Sequence, residues 1–382
     1  MVPNHVTLQI SGHRFHVTYQ VRGTVETVEA IAEAICVEQT VEFPRDLLPE
    51  GDIEAQIVGR VEAMHQVDEA HWNITISYAS EVTGGELGQL INVVYGNASI
   101  FPSVRITGLV LPAHLLESFR GPRYGREGLR SLLGIHDRPL LCTALKPMGL
   151  SSEELASLAY EFAAGGIDIV KDDHGLANQP FSQWTERVRL CSSAVARANA
   201  KTGRNTIYMP SALGTSMSLQ DKALLAKSHG AGGILVPPGI VGFDAVSRLA
   251  DDDSFGLPIM SHPSFLGSHV TSAEHGINHG ILFGQLMRLA GIDASVYPNY
   301  GGRFSFTMQD CRDIADGTAV VMGSIRSIFP TPGGGMTLDR VPEMLQMYGK
   351  DVILLIGGGL FRNGSVTYNT QKFLDMIQGK EQ

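Results

Sequence analysis

The sequence predicts an α/β protein with a C-terminal (β/α)8 TIM barrel and a smaller N-terminal α+β domain. The chain has 382 residues, which is more than a single hydrophobic core usually serves, so we expect two domains. From about residue 137 onward, short apolar runs alternate with helical patterns, as is typical of a parallel sheet built from βαβ units. Two of these runs end in charged residues, lysines and carboxylates. Barrels of this type have their catalytic residues at the C-terminal ends of the strands.

The N-terminal domain, residues 1–125, combines alternating and helical patterns. Apolar residues at helical spacing predict a helix over 25–37. Alternating polarity predicts three strands of an antiparallel sheet, at 6–10, 15–19 and 72–78. A segment with adjacent Gly and Pro at 119–124 marks the domain boundary.

The barrel domain, residues 126–382, has eight predicted strands, which is the number that closes a TIM barrel. They are 140–145, 167–170, 206–210, 233–236, 257–260, 294–297, 327–331 and 352–356. The seventh strand has an alternative at 318–322, whose residues have the higher β propensity.

Composition excludes several classes of function. The net charge of −10 and the lack of a basic run with interleaved aromatics argue against nucleic-acid binding. No window approaches the length of a membrane span, and residues 1–6 have no signal-peptide pattern, so we expect a cytoplasmic protein. The four cysteines form no CxxC pair, which argues against a zinc site or a disulfide framework: Cys36, Cys142, Cys191 and Cys311.

Two lysine-bearing strand ends stand out. The second predicted strand runs into Lys171-Asp172-Asp173-His174, and the first ends at Lys146-Pro147. Four adjacent ionisable groups at a strand end indicate an active site, and a solvated turn is the alternative. For Lys146 the alternative is a lysine that reaches from the barrel rim into solvent.

These segments resemble the large subunit of ribulose bisphosphate carboxylase (RuBisCO). The matching motifs occur in the family's order over roughly residues 90–365: Gly96-Asn97, 119–125, Lys146-Pro147 with 149–151, Lys171-Asp172-Asp173, 178–181 and 356–360. The resemblance implies that carbon dioxide carbamylates Lys171, which then binds a divalent cation together with Asp173. It further implies that Lys146 moves protons and that His262, at the end of the fifth strand, is catalytic.

His174 stands where the family usually has glutamate. Either His174 still binds the metal and shifts the preference from Mg²⁺ toward Mn²⁺ or another softer ion, or it acts as an acid/base group; a purely structural histidine is the third possibility. We expect Asp172 to cap or pair with other barrel residues rather than to bind metal. We also expect Arg288 and His279 on helix surfaces.

Two glycine triplets follow the last two predicted strands. Barrels build phosphate sites there, because unhindered backbone N–H groups can approach the anion. We therefore predict that phosphate binds at Gly333, Gly334, Gly335, Gly357, Gly358 and Gly359. A simple turn at each triplet is the alternative.

Three departures from the family argue against carboxylation. Pro263 stands in place of an arginine that grips the second phosphate, and Gly333 replaces a serine. The family's flexible loop after the sixth strand carries a lysine, whereas this chain has no lysine between Lys227 and Lys350. Arg303 of this loop can close on the substrate, but a guanidinium does not replace an ammonium point charge.

The resemblance also implies a homodimer with a shared active site. Asn97 and Glu38 fall where the family supplies substrate contacts from the N-terminal domain of the partner chain. We therefore expect these two residues to complete the site of the other subunit. For Glu38 the alternative is that it belongs simply to the polar end of a helix, because the family's Thr-Trp pair of the phosphate pocket is absent.

We interpret the chain as a non-carboxylating RuBisCO-like enzyme of form IV that enolises a ketose monophosphate with the help of a metal. Within the family, 5-methylthioribulose 1-phosphate isomerase fits best, although a cysteine expected near the seventh strand is replaced by Gly333. The alternatives are a decarboxylase (lyase) or hydrolase of a phosphorylated 3-oxo sugar acid of the 3-oxo-isoapionate 4-phosphate type, an enolase of a diketo-methylthio sugar phosphate, and a non-catalytic degenerate barrel.

Overall fold

The computed structural model describes residues 3–214 and 217–380. Its strands are, in chain order, β1 (His5–Val6), β2 (Arg14–Arg22), β3 (Glu50–Gly51), β4 (Arg60–Gln66), β5 (His71–Ala79), β6 (Val104–Val110), β7 (Leu140–Leu145), β8 (Ile169–Asp172), β9 (Ile207–Met209), β10 (Ile234–Val236), β11 (Ile259–Ser261), β12 (Gly276–Ile277), β13 (Ala294–Pro298), β14 (Phe329–Gly333) and β15 (Ile353–Leu355).

The α-helices are α1 (Val25–Glu38), α2 (Leu87–Tyr95), α3 (Ala113–Leu116), α4 (Gly125–Leu133), α5 (Ser152–Gly165), α6 (Trp184–Thr202), α7 (Leu219–Ser228), α8 (Pro238–Val241), α9 (Phe243–Asp251), α10 (Met287–Leu289), α11 (Met308–Gly317), α12 (Val341–Tyr348) and α13 (Val366–Ile377). Short 3₁₀ turns lie at Arg45–Leu47, Ser80–Thr83, Asn97–Ile100, Gly267–His269, Leu338–Arg340 and Gly358–Phe361, and π-helical turns at Ile53–Ile57 and Ile281–Leu286. None of the described helices is both long and apolar enough to cross a membrane.

The chain forms two compact units. The first contains the residues up to Phe119 together with Leu266–Leu282 and Val321–Ile325, and the second contains the rest. The first unit has a five-stranded sheet in the order β12-β6-β2-β5-β4, antiparallel except for the β12–β6 pair. The division at residue 125, in the sense of independently folding domains, stays a prediction.

The N-terminal patterns predicted the strands within β2 and β5 and the helix α1 correctly. The strand predicted at 6–10 is wrong, because regular pairing ends at Val6. The partner strand β3 is only two residues long, and the amide of Leu8 instead donates to Asp52 Oδ2 at 2.7 Å. Alternating polarity alone does not make a strand where the backbone has no partner.

The second unit is the predicted (β/α)8 barrel. Two parallel four-stranded sheets have the orders β15-β7-β8-β9 and β10-β11-β13-β14. Backbone hydrogen bonds of 2.9 Å from Leu235 to Pro210 and from Ala212 to Leu235 join β9 to β10, and β14 lies beside β15. All eight predicted strand positions are confirmed. The alternative at 318–322 is wrong, because Thr318 caps the end of α11 and Val321 is exposed.

Alternation along the barrel strands separates interior from exterior side chains. Leu140 and Cys142 of β7 belong to the cluster that fills the barrel, whereas Leu141 and Leu145 belong to the cluster packed with the surrounding helices. In β8, Ile169 faces inward and Val170 faces outward. The same alternation therefore assigns Lys171 to the interior face and Asp172 to the exterior face.

Asp172 forms a buried ion pair that attaches β8 to its neighbours. Arg187 of α6 donates from Nε to Asp172 Oδ2 at 3.2 Å, and both side chains are 0% exposed. The hydroxyl of Tyr208 donates to Asp172 Oδ1 at 2.6 Å, and the amide of Ser211 donates to Oδ2 at 3.1 Å. The prediction that Asp172 pairs with barrel residues is confirmed.

Replacing Arg187 with leucine tests this support. Removing one partner of a buried ion pair leaves an uncompensated charge, so we expect Arg187→Leu to lower the free energy of unfolding by about 3–5 kcal/mol. Chemical denaturation followed by circular dichroism measures the change. The exposed Arg197→Leu variant of the same helix is the control, and we expect the Asp172→Asn background to reduce the loss. A loss below about 1 kcal/mol in the single variant would argue that the pair does not carry this support.

Candidate functional site

The predicted site residues continue the interior register of the barrel strands. Lys146 lies four residues after Cys142, Lys171 two after Ile169, and His262 two after Met260; each preceding residue belongs to the interior cluster. Side chains two or four positions further along the same strand face the same way. The carboxyl ends of β7, β8 and β11 therefore direct these three side chains to one end of the barrel.

Lys146 and Asp173 form an ion pair, with Lys146 Nζ 2.7 Å from Asp173 Oδ1. Burial alone would raise the pKa of the Asp173 carboxyl. Hydrogen bonds from His174 and Lys146, and the charges of Lys146 and Lys171, outweigh burial and hold this pKa well below its usual range. Asp173 is therefore a carboxylate at neutral pH and can bind a cation.

Lys171 is 2% exposed, and its Nζ donates to the backbone oxygen of Asp172 at 3.1 Å. Burial lowers the pKa of this amine, since a charged ammonium is poorly solvated inside the barrel. The nearby Lys146 acts in the same direction. A neutral amine is the form that reacts with carbon dioxide, so the environment of Lys171 suits carbamate formation.

His174 and His262 stack on each other, with ring centroids 4.3 Å apart and planes tilted by 7°. His174 Nδ1 lies 3.3 Å from Asp173 Oδ1. His262 Nδ1 lies 2.7 Å from Ser264 Oγ and accepts from the amide of Ser264 at 3.2 Å. Burial, then Lys171 and His174, lower the pKa of His262 to about 2, so this ring is neutral at pH 7.

The described residues fit a divalent cation only if Lys171 is carbamylated. Among residues 3–214 and 217–380, no three His, Cys, Asp or Glu side chains are arranged to hold a metal ion. Asp173 and His174 supply one carboxylate and one imidazole. A carbamate on Lys171 would supply the further anionic oxygen that Mg²⁺ prefers, and the imidazole would also suit Mn²⁺. The carbamylated form fits the ion, whereas the free amine does not.

The glycine triplets leave backbone donors unused. Five of the six triplet amides donate to no group among the described residues: those of Gly334, Gly335, Gly357, Gly358 and Gly359. Gly334 and Gly335 have φ of +82° and +100°, a conformation that side chains rarely adopt. Free amides in a glycine-rich concavity bind anions, so both triplets have the chemistry of a phosphate cradle.

The triplets lie next to Lys146 and to the loop after β13. A Cβ placed on Gly357 would lie 3.5 Å from Lys146 Cε, and one placed on Gly335 would lie 2.7 Å from Arg303 Cγ. The amide of Arg303 donates to the oxygen of Gly334 at 3.0 Å. Gly333 ends β14 and faces Leu355 in the barrel interior.

Helix α12 and the turn before it hold the loop after β13 in place. The sequence did not predict these contacts. Arg340 donates to the oxygen of Tyr300 at 2.7 Å, and the hydroxyl of Tyr348 donates to Asn299 Oδ1 at 2.6 Å. The amide of Asn299 donates to the oxygen of Gly333 at 2.9 Å. These partners lie about 40 residues apart in sequence, so no local pattern signals them.

The expectation for Arg288 and His279 is wrong, because both side chains are buried. Arg288 donates to the backbone oxygens of Arg326 and Val320 and so ties α10 to the segments before β14. The apolar residues next to Arg288 in the sequence did not indicate that its guanidinium would be buried and hydrogen-bonded to backbone oxygens.

Glu38 and Asn97 come together in the first unit. Asn97 Nδ2 donates to Glu38 Oε2 at 3.3 Å. The neighbouring Gln39 accepts from the amide of Ala98 at 2.7 Å and donates to the oxygen of Val93 at 2.7 Å. These bonds fix the end of α1 against the turn that begins at Asn97. A role for the pair in substrate binding stays a prediction.

The chain is similar to proteins of known family. Residues 125–367 match the model of the ribulose bisphosphate carboxylase large chain, catalytic domain. The chain is 38% identical over 372 residues to 5-methylthioribulose-1-phosphate isomerase of Rhodospirillum rubrum, covering 96% of each. It is 32% identical over 282 residues to 2,3-diketo-5-methylthiopentyl-1-phosphate enolase of Microcystis aeruginosa, covering 73% of this chain and 71% of that one.

A solved structure agrees with these similarities. The crystal structure of a Rubisco-like protein from Rhodopseudomonas palustris superposes with a TM-score of 0.86 at 38% identity, covering 97% of this chain and 99% of that one. The resemblance read from the motifs is therefore confirmed, as is the predicted combination of an α+β domain with a (β/α)8 barrel. The chain belongs to the ribulose bisphosphate carboxylase large-chain family, among its RuBisCO-like members.

Proposed function

We propose that the protein enolises a ketose monophosphate and does not fix carbon dioxide. The observation that carries this proposal is the contact between Lys146 Nζ and Asp173 Oδ1 at 2.7 Å, at the barrel end where Lys171 is buried and five amides of the two glycine triplets have no acceptor among the described residues. The candidate proton carrier thus contacts a candidate metal ligand and lies beside Gly357 of one glycine triplet.

The cation would be held by Asp173, by a carbamate on Lys171 and, in one of the two functional hypotheses, by His174. When bound, a divalent cation supplies positive charge that stabilises the developing enolate oxygens. Mg²⁺ is our first choice, and the imidazole of His174 makes Mn²⁺ the alternative. If His174 does not bind the cation, its stacking on His262 leaves it as the acid/base group.

Lys146 would move the substrate proton. In its amine form it accepts the proton from the carbon beside the carbonyl group, and the released C–H electron pair forms the enolate double bond. The hydroxyl proton of that carbon then moves to the former carbonyl oxygen, and the ammonium gives its proton to the former carbonyl carbon, so the carbonyl group shifts by one position. Two such shifts along the sugar give a net 1,3 proton transfer, and no oxidant or reductant is needed. The glycine amides hold the phosphate, which fixes that carbon relative to Lys146.

The substrate we propose is 5-methylthioribulose 1-phosphate, converted by a 1,3 proton transfer. The relative from Rhodospirillum rubrum carries the name of that isomerase and covers nearly the whole chain. Pro263 offers no charge for a second phosphate, which favours a monophosphate. The absence of a lysine between Lys227 and Lys350 argues against carboxylation.

Replacing Lys146 with methionine tests the proposal. In deuterated water, we expect the wild-type protein to introduce deuterium into 5-methylthioribulose 1-phosphate or to convert it. We expect Lys146→Met to lower that rate by at least about 10²-fold, because the proton has no carrier. NMR measures both deuterium and product.

Phosphate binding by Lys146→Met, measured by calorimetry, is the control for an intact cradle, and Lys201→Met on α6 controls for the loss of an exposed lysine. Turnover by Lys146→Met at the wild-type rate would rule out Lys146 as the proton carrier. The histidine pair would then be the remaining acid/base candidate.

We further propose a homodimer in which Asn97 and Glu38 complete the site of the partner subunit. Lys171→Ala and Asn97→Ala proteins are each expected to be inactive. Mixing them under conditions of subunit exchange should restore up to about one quarter of the wild-type activity, because a hybrid dimer has one intact site. Light scattering checks the dimer. No recovery despite measured exchange would contradict the shared site.

A further inference from the structure

Phe265 combines an unfavourable backbone conformation with an exposed aromatic ring. Its φ is +71°, in the left-handed region that bulky residues avoid, and the residue is 76% exposed. Glycine or asparagine would adopt this backbone at less cost. Packing of the ring within the chain does not account for the phenylalanine, because most of the ring is free of contacts.

The turn that carries Phe265 is attached to His262. Ser264 contacts His262 Nδ1 through both its hydroxyl, at 2.7 Å, and its amide, at 3.2 Å. The amide of His262 in turn donates to the oxygen of Val236 at 2.8 Å. Phe265 therefore follows directly after a turn whose position is fixed at the end of β11. A strained residue beside a candidate active site is a pattern that indicates function.

A line of contacts leads from the phosphate cradle to this turn. Gly357 lies against Lys146, which pairs with Asp173. Asp173 contacts His174, and His174 stacks on His262. The glycine triplet that contains Gly357 is at one end of this line, and His262, three residues before Phe265 in the chain, is at the other. A substrate whose phosphate lies at the glycines would extend along the line with its far end toward Phe265.

A second exposed apolar side chain flanks the same line. Met148 is 49% exposed and follows Lys146 by two residues. A Cβ on Gly175 would lie 2.6 Å from Met148 Cε, so the absence of a side chain at Gly175 leaves room for the methionine beside His174. An exposed apolar residue therefore follows the candidate site residues at two strand ends, Met148 after β7 and Phe265 after β11.

We propose that Phe265 determines specificity by contacting the substrate end remote from the phosphate and selecting an apolar group there. This inference rests on the proposed binding of phosphate at the glycines. An apolar end gains by covering the exposed ring, whereas a hydroxyl group at that point loses water without gaining a partner.

Alkyl phosphates test the inference without turnover. Calorimetry compares hexyl phosphate with 6-hydroxyhexyl phosphate, which differ only at the far end. We expect the wild-type protein to bind hexyl phosphate about tenfold more tightly. We expect Phe265→Gly to bring the two affinities to within about twofold while inorganic phosphate binds unchanged, and Phe265→Leu, which keeps an apolar side chain, to retain most of the preference.

Thermal stability separates a functional from a structural role. Because glycine relieves the left-handed backbone, we expect Phe265→Gly to raise Tm by about 1–3 °C even as selectivity is lost. Ser103→Gly, at another residue with positive φ (+57°), is the matched control, with a rise in Tm and no change in selectivity. A fall in Tm for Phe265→Gly would show that the ring packs, and would contradict the inference.

Three further outcomes would overturn the inference: no preference in the wild-type protein, a preference that survives Phe265→Gly, or dissociation of the dimer by that variant, which would assign Phe265 to a subunit interface. If the wild-type protein exchanges deuterium but does not discriminate between the alkyl phosphates, this inference is contradicted and the proposed enolisation is not. If Phe265→Gly loses discrimination but the wild-type protein does not exchange deuterium, the proposed enolisation is contradicted and this inference is not.

Discussion

The strict alternation of side chains along the barrel strands is the constraint on which the rest of the site depends. In β8 it places Ile169 and Lys171 inside the barrel and Val170 and Asp172 outside. Adjacent residues of one short strand thus face different surroundings. Lys171 is available to the site, and Asp172 attaches the strand to Arg187. A shift of one residue in register would exchange these roles.

Several residues at this end of the barrel lower the stability of the fold. A buried lysine whose Nζ donates to a backbone oxygen is destabilising compared with an apolar side chain. Asp173 offsets part of the repulsion between the two lysines, since it pairs directly with Lys146. Phe265 adds a strained backbone nearby. Local rules broken together at one end of a barrel indicate a site that is maintained for function rather than for stability.

Much of the fold followed from the sequence because the barrel strands are buried on both faces. Continuous apolar runs located all eight strands, and the charged residues after them define the candidate site. The end of β8 was misjudged by two residues, since the polar character of Lys171 and Asp172 concealed that both pair with neighbouring strands. Outside the barrel, the strand predicted at 6–10 failed because its partner is short.

Long-range polar contacts were beyond sequence reasoning. Arg187, Arg288 and Arg340 each donate to an oxygen at least 15 residues away in the sequence, and the residues around an arginine do not reveal which distant oxygens it will contact. The stacking of His174 on His262 is of the same kind. The family resemblance suggested roles for some of the residues of the candidate site, but only the structure shows which of these residues contact one another.

The central claim is that Lys171 becomes an anionic ligand. The most direct measurement is ¹³C NMR of the protein in ¹³CO₂ with Mg²⁺, with Lys171→Met as the control. We predict a carbamate carbon signal in the wild-type protein that strengthens as Mg²⁺ is added and is absent from Lys171→Met. An actively enolising wild-type protein with no carbamate signal at saturating ¹³CO₂ and Mg²⁺ would contradict the account.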